Sequence, residues 1–196
     1  MRILVAALIT FGVFSASPVL AQSLQADVHF STADWSEFEE VDKGIGGRLT
    51  WKPTPLIGVD ADLTWYPSDY PDRISFSTSR FEGLFGVTVG PQLGELRPFV
   101  KATAGFLNVG STPGAFACLA IFPPPLACVL AGGVTMPAYE IGGGLQFDIS
   151  RSFIRVDVTD RILKYPGPSL SSDFTTNEDG FLGHAVRFTI GAGWKF

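Results

Sequence analysis

Residues 45–65 read IGGRLTWKPTPLIGVDADLTW. In the first half Ile45, Gly47, Leu49 and Trp51 alternate with Gly46, Arg48, Thr50 and Lys52; in the second, Ile57, Val59, Ala61, Leu63 and Trp65 alternate with Gly58, Asp60, Asp62 and Thr64. Successive side chains of a β-strand leave the backbone on opposite sides, so a period of two marks a strand with one apolar and one polar face. Only four residues separate the halves. The stretch is therefore expected to fold as two antiparallel strands joined by a tight turn.

The same rhythm spreads outward along the chain. It recurs around Phe81–Val89, Val100–Phe106, Tyr139–Phe147, Ile154–Ile162 and Val186–Phe196, with a weaker copy at Ala26–Phe30. The expected strands cover 25–33, 44–52, 57–66, 80–90, 96–107, 137–148, 153–164 and 183–196, and the links between them hold 10, 4, 13, 5, 29, 4 and 18 residues. Long and short links alternate throughout, which describes an up-and-down meander with one tight end and one loopy end. Strands of 9 to 14 residues suit a tilted crossing of a hydrocarbon layer.

Composition narrows the class. The chain has 196 residues, 46% hydrophobic and 17% charged, with a net charge of -5. This is too apolar for disorder, and the scattered lysines and arginines offer no basic stripe for nucleic acid. At the N-terminus, Met1-Arg2 precedes an uncharged apolar run, Ile3–Phe14, and small residues up to Ala21. That pattern predicts a secretory signal peptide over 1–21, cleaved after Ala21, with the barrel domain over 22–196. The run from Ala102 to Tyr139 is uncharged too, but Pro123-Pro124-Pro125 removes three consecutive donors, so no membrane helix is expected there. Cys118 and Cys128 form an even pair in an exported chain, and a disulfide between them is expected to stabilise by roughly 2 to 4 kcal/mol.

Alternation alone does not say which face points inward. Three features place the apolar face outside. Trp51, Trp194 and Phe196 fall at the tight-turn ends of strands, while Trp35, Trp65, Tyr66 and Tyr139 fall near the loop ends, giving two aromatic girdles. The polar face carries seven basic and seven acidic residues, a balance that suits mutual pairing in a narrow lumen. Glycines are frequent in the strands, as at Gly142–Gly144, where a small curved barrel must make room. Register then predicts Arg48 opposite Asp62 and Glu140 opposite Arg161, each pair meeting in the lumen. Paired carboxylates such as Asp60 and Asp62 also suit acid-base chemistry, but with so many cations on the same face salt bridging is expected.

With these features the chain resembles the small eight-stranded outer-membrane β-barrels, the OmpA/OmpX-like transmembrane barrels. The resemblance rests on the leader, the eight strands, the alternating links and the terminal Phe188–Phe196 strand ending in Phe. It implies an all-β, antiparallel, up-and-down transmembrane barrel in the outer membrane of a Gram-negative-type bacterium, contacting outer-membrane lipid and presenting its C-terminal strand to the barrel assembly machinery. It also implies a plugged lumen, no general pore, and a non-enzymatic structural or loop-binding role without a cofactor. The soluble peptidoglycan-binding domain of full-length OmpA is expected to be lacking.

Two alternatives belong to other classes. Barrel-type lipid A hydrolases use a membrane-facing His and Ser, which points to His29 or His184; a soluble lipocalin-like carrier would invert the two faces. Asp34, Glu37, Glu39, Glu40 and Asp42 crowd the first link without the spacing of a known calcium loop, so a solvated acidic face is expected. Loop 108–136 carries Phe116, Ile121, Phe122 and Leu126 around the two cysteines. An extracellular partner and a fold down over the barrel mouth are the two readings of that loop.

Overall fold

A computed structural model describes residues 23–35, 40–67, 79–111, 122–171 and 173–196. The elements are β1 (Ser23–Trp35), β2 (Glu40–Lys52), β3 (Ile57–Tyr66), β4 (Arg80–Val89), β5 (Leu96–Val109), α1 (Leu126–Ala131), β6 (Val134–Ile149), β7 (Ser152–Tyr165), β8 (Ser169–Leu170), β9 (Thr176–Asn177) and β10 (Phe181–Lys195). Eight of the strands close into one barrel, in the order β1-β10-β7-β6-β5-β4-β3-β2. All eight expected strands are present, and β10 pairs antiparallel with β1 to seal the ring. The expected leader, 1–21, lies outside the described residues.

Ladder partners set the tilt of the strands. Passing across the sheet from Trp51 leads through Val59, Val87, Ala102, Ile141, Asp160, Val186 and Asp34 back to β2 at Val41, ten residues from the start. Ordinary strand spacing and rise convert a ten-residue offset over eight strands into a tilt of about 40° and a backbone radius of about 8 Å. A tube of that width is filled by its own side chains.

The faces fall as the alternation predicts. Thirty-four large hydrophobic side chains are exposed among the described residues, Leu49, Phe85, Ile141, Leu145, Phe188 and Ile190 among them, against fifteen buried hydrophobic residues. A water-soluble barrel shows the reverse. The soluble-carrier alternative is therefore overturned: arginines and carboxylates occupy the interior where a carrier needs an apolar cavity.

The strands run further than expected toward the loops. The first link shrinks to residues 36–39, because β1 and β2 pair as far as Trp35 and Glu40. This corrects the acidic-loop reading: Asp42 is buried inside the barrel with its carboxylate 2.7 Å from Arg80, while Asp34 lies on the outer face. Consecutive strand positions of opposite parity cannot supply one calcium site. Glu37 and Glu39 lie outside the described residues.

Candidate functional site

Close approach of strands shapes the lumen. A Cβ at Gly46 would stand 2.5 Å from His29 Nε2, and one at Gly44 would stand 2.6 Å from the Tyr66 ring. These two glycines of β2 thus leave room for two large inward side chains of neighbouring strands. Tyr66, expected in the loop-side girdle, is instead fully buried and donates its hydroxyl to Glu82 at 2.8 Å. It follows Trp65, which points outward, so strand parity sends it in. Of the other girdle residues, Trp51, Trp65, Tyr139, Trp194 and Phe196 are exposed, and the side chain of Trp35 lies outside the described residues.

Arg187 is the hub of the interior. Fully buried on β10, it donates to Glu140 at 2.7 Å, Thr64 at 2.8 Å and Ser31 at 2.7 Å, and lies 3.4 Å from Asp62. Four strands are thereby joined through one guanidinium. Around it, Arg48 pairs with Asp62 at 2.9 Å and reaches across to Asp157 at 2.8 Å. Arg155 meets Asp60 at 3.0 Å and lies over the Phe99 ring at 4.2 Å. Charge-assisted hydrogen bonds of this kind are among the stronger ones available in a low-dielectric interior.

Arg48 and Asp62 are thus register partners and an ion pair, as the turn length predicts. Glu140 and Arg161 are likewise register partners, but the contact between their charges is corrected. Glu140 is taken by Arg187 and by Lys101 at 3.1 Å, and Arg161 turns across the lumen to Glu82 at 3.3 Å. Register fixes where two Cα atoms stand; a long arginine then chooses among all the carboxylates within reach. Arg80, Asp42 and Arg97 also point inward, and the sequence reading passed over them although the same alternation places them there.

One side of the loop-end interior, on β5, β6 and β7, is apolar. Leu84, Leu107, Val109, Met136, Ala138, Leu163 and Tyr165 form a buried cluster with Leu126 and Leu130 of α1. The described part of the third long loop therefore packs down on the mouth. It is tied to the fourth by a Pro125–Leu170 bridge, with the Leu170 N–H donating to the Pro124 carbonyl at 3.0 Å. Above this base Phe122 and Phe174 stay 87% and 83% exposed. Beside Phe174, the Thr175 hydroxyl and N–H hold the Asp173 carboxyl below its ordinary range. Residues 112–121, with Cys118, lie outside the described residues; Cys128 lies on α1.

The two histidines occupy opposite faces. His29 is buried, 3.0 Å from Thr64 Oγ1 and 3.3 Å from Asp27, so it belongs to the lumen network. His184 is outward, with Nδ1 3.0 Å from Asp160 Oδ2. Val186, not a serine, stands two residues beyond His184 on the same outer face.

A closed eight-strand meander with ion pairs within and hydrophobic side chains without is the architecture of the small outer-membrane β-barrels. Solved structures agree. The N-terminal barrel domain of Pseudomonas aeruginosa OprF matches with a TM-score of 0.50 and 13% identity, covering 88% of this chain and 97% of that one. Neisserial surface protein A matches with a TM-score of 0.50 and 12% identity over 89% of this chain and 95% of that one. OprG of Pseudomonas aeruginosa gives a TM-score of 0.52 and 13% identity over 90% and 96%. At such identities the likeness is one of fold. No family model matches the chain, and no curated relative matches it.

Proposed function

We propose that this protein is a non-enzymatic outer-membrane barrel that binds an extracellular partner through its third and fourth loops. The observation that carries this reading is the braced platform at the loop end: α1 is seated on a buried apolar base, the two loops are bridged, and Phe122 and Phe174 project from it. Exposed aromatic side chains on a fixed support offer contact area at low cost in conformational entropy. The crosslinked lumen beneath argues against transport as the main task, because the ion pairs run from wall to wall.

One experiment separates binding from transport. Cells displaying the full protein, or a variant lacking residues 115–131, are compared for adhesion to matrix-coated surfaces, with heat-modifiable gel mobility as the check on the barrel. Adhesion is expected to fall several-fold on deletion while the mobility shift persists. Equal adhesion by both would overturn the loop-binding role, and a large stable conductance of the intact barrel in planar bilayers would overturn the plugged lumen.

Export and the Cys118–Cys128 disulfide complete this reading. The mass of the purified protein is expected to begin at Gln22 and to rise by two hydrogens on reduction. A mass that includes residues 1–21, or that does not change on reduction, would remove the corresponding element.

A further inference from the structure

The buried charges do not balance at the turn-side mouth. Among the described residues eight cationic side chains are buried, Arg48, Lys52, Arg80, Arg97, Lys101, Arg155, Arg161 and Arg187, against seven carboxylates, Asp27, Asp42, Asp60, Asp62, Glu82, Glu140 and Asp157. Two of the cations lie at the mouth without a carboxylate within 4 Å. Arg97 donates to the Gly90 and Leu56 carbonyls at 3.2 and 3.3 Å, which fixes its guanidinium but leaves its charge. Lys52 is only 6% exposed and makes no hydrogen bond or ion pair among the described residues. The stem of Lys52 is buried while its unpaired ammonium opens on the mouth.

Lys52 lines a cavity of about 250 Å³ together with Ser23, Gln25, Thr54, Gln92, Asp148 and Lys195. The one acid there is already engaged: Asp148 lies 3.3 Å from Lys195 and accepts from Gln92 at 3.1 Å and Gln146 at 2.7 Å. Gln25 is buried, and its side-chain carbonyl makes no hydrogen bond. The cavity thus offers a cation free of ion pairs, the Gln25 amide and the Ser23 hydroxyl, with Lys195 on its wall already paired to Asp148.

We propose that the turn-side mouth is a binding site for a small phosphate-type oxyanion, with Lys52 as its charge partner. Such an anion accepts several hydrogen bonds at once and matches the donors and the positive excess of the site. This inference rests on the fold and the mouth, not on the binding role of the loops, and the two fail independently.

Inorganic phosphate is the probe. The full barrel, refolded in detergent micelles, is titrated at constant ionic strength while backbone amide shifts of the 53–56 and 90–95 turns are followed by NMR. Saturable shifts confined to the mouth are expected, with sulfate competing and chloride inert. Lys52→Gln is expected to weaken binding at least about tenfold and Lys52→Arg to retain it; Lys164→Gln, which removes an exposed lysine at the loop-side end of β7, should change it less than about threefold. Heat-modifiable mobility verifies folding of each variant. Absent or non-saturating shifts in the unaltered protein, an equal response to chloride, or equal losses from Lys52→Gln and Lys164→Gln would each overturn the site. The titration of the unaltered protein decides the matter even if Lys52→Gln does not fold.

Discussion

Replacing Arg187 with methionine is expected to destabilise the barrel by about 3 to 5 kcal/mol, the range for breaking a buried ion pair from one side. The side chain is fully buried and serves Glu140, Asp62, Thr64 and Ser31 together. Methionine fills part of the volume but leaves Glu140 with Lys101 alone and the Thr64 and Ser31 hydroxyls without their donor. Urea-induced unfolding in lipid vesicles, followed by tryptophan fluorescence, measures the loss. Adding Glu140→Gln should recover part of it, because the orphaned charge is then gone, so the two effects should be clearly non-additive. A loss below about 1 kcal/mol for Arg187→Met would mean that the hub does not hold the lumen together.

Phe85→Arg tests the outer face. Phe85 is 63% exposed midway along β4, flanked on the outer face by Ala61 of β3 and Ala104 of β5. In a bilayer an arginine there is expected to cost about 2 to 4 kcal/mol, whereas near the interface the cost falls toward zero. Val89→Arg, at the turn-side end of the same strand, is the matched control. Equal, small effects of both substitutions in lipid vesicles would contradict the lipid-facing assignment, since a surface bathed in water accepts arginine at either position.

Much of the barrel was legible because strand parity carries two kinds of information. It located the strands, and together with turn length it set register: Lys52-Pro53-Thr54-Pro55-Leu56 placed Arg48 opposite Asp62, and the link after Ile149 placed Glu140 opposite Arg161. The ion pairs depend on something further. Arg161 and Arg187 are long enough to reach several strands, so their choice of Glu82 and Glu140 depends on the curvature of the whole ring. Tyr66 and Asp42 show the other way the reading lost ground. An aromatic at a strand end was assigned by residue type, and an acid was assigned to a loop, when the parity of the adjacent residue already pointed both inward.

The third loop was legible only in composition. Its prolines and apolar residues excluded a membrane helix and marked a surface of interest, but nothing local says that Leu126 and Leu130 meet Leu107, Met136 and Leu163. Those contacts arise because apolar side chains of β5, β6 and β7 meet on one side of the loop-end interior, opposite the Arg80–Asp42 and Arg161–Glu82 pairs, a division around the ring that a strand-by-strand reading averages away. The turn-side excess of cations was hidden for a related reason. Counting equal numbers of acids and bases on the polar face concealed that they are unevenly distributed from one end to the other.

Arg187 has a bearing on how the chain reaches its final state. Its donors join Ser31, Thr64 and Glu140, groups 156, 123 and 47 residues away along the chain. The β2–β3 hairpin pairs Arg48 with Asp62 on its own, but no single hairpin satisfies Arg187, so a partly assembled sheet would carry its naked guanidinium into hydrocarbon. Insertion and sealing of the first strand to the last must therefore proceed nearly together, and the chain's most distant contacts set the pace of its biogenesis.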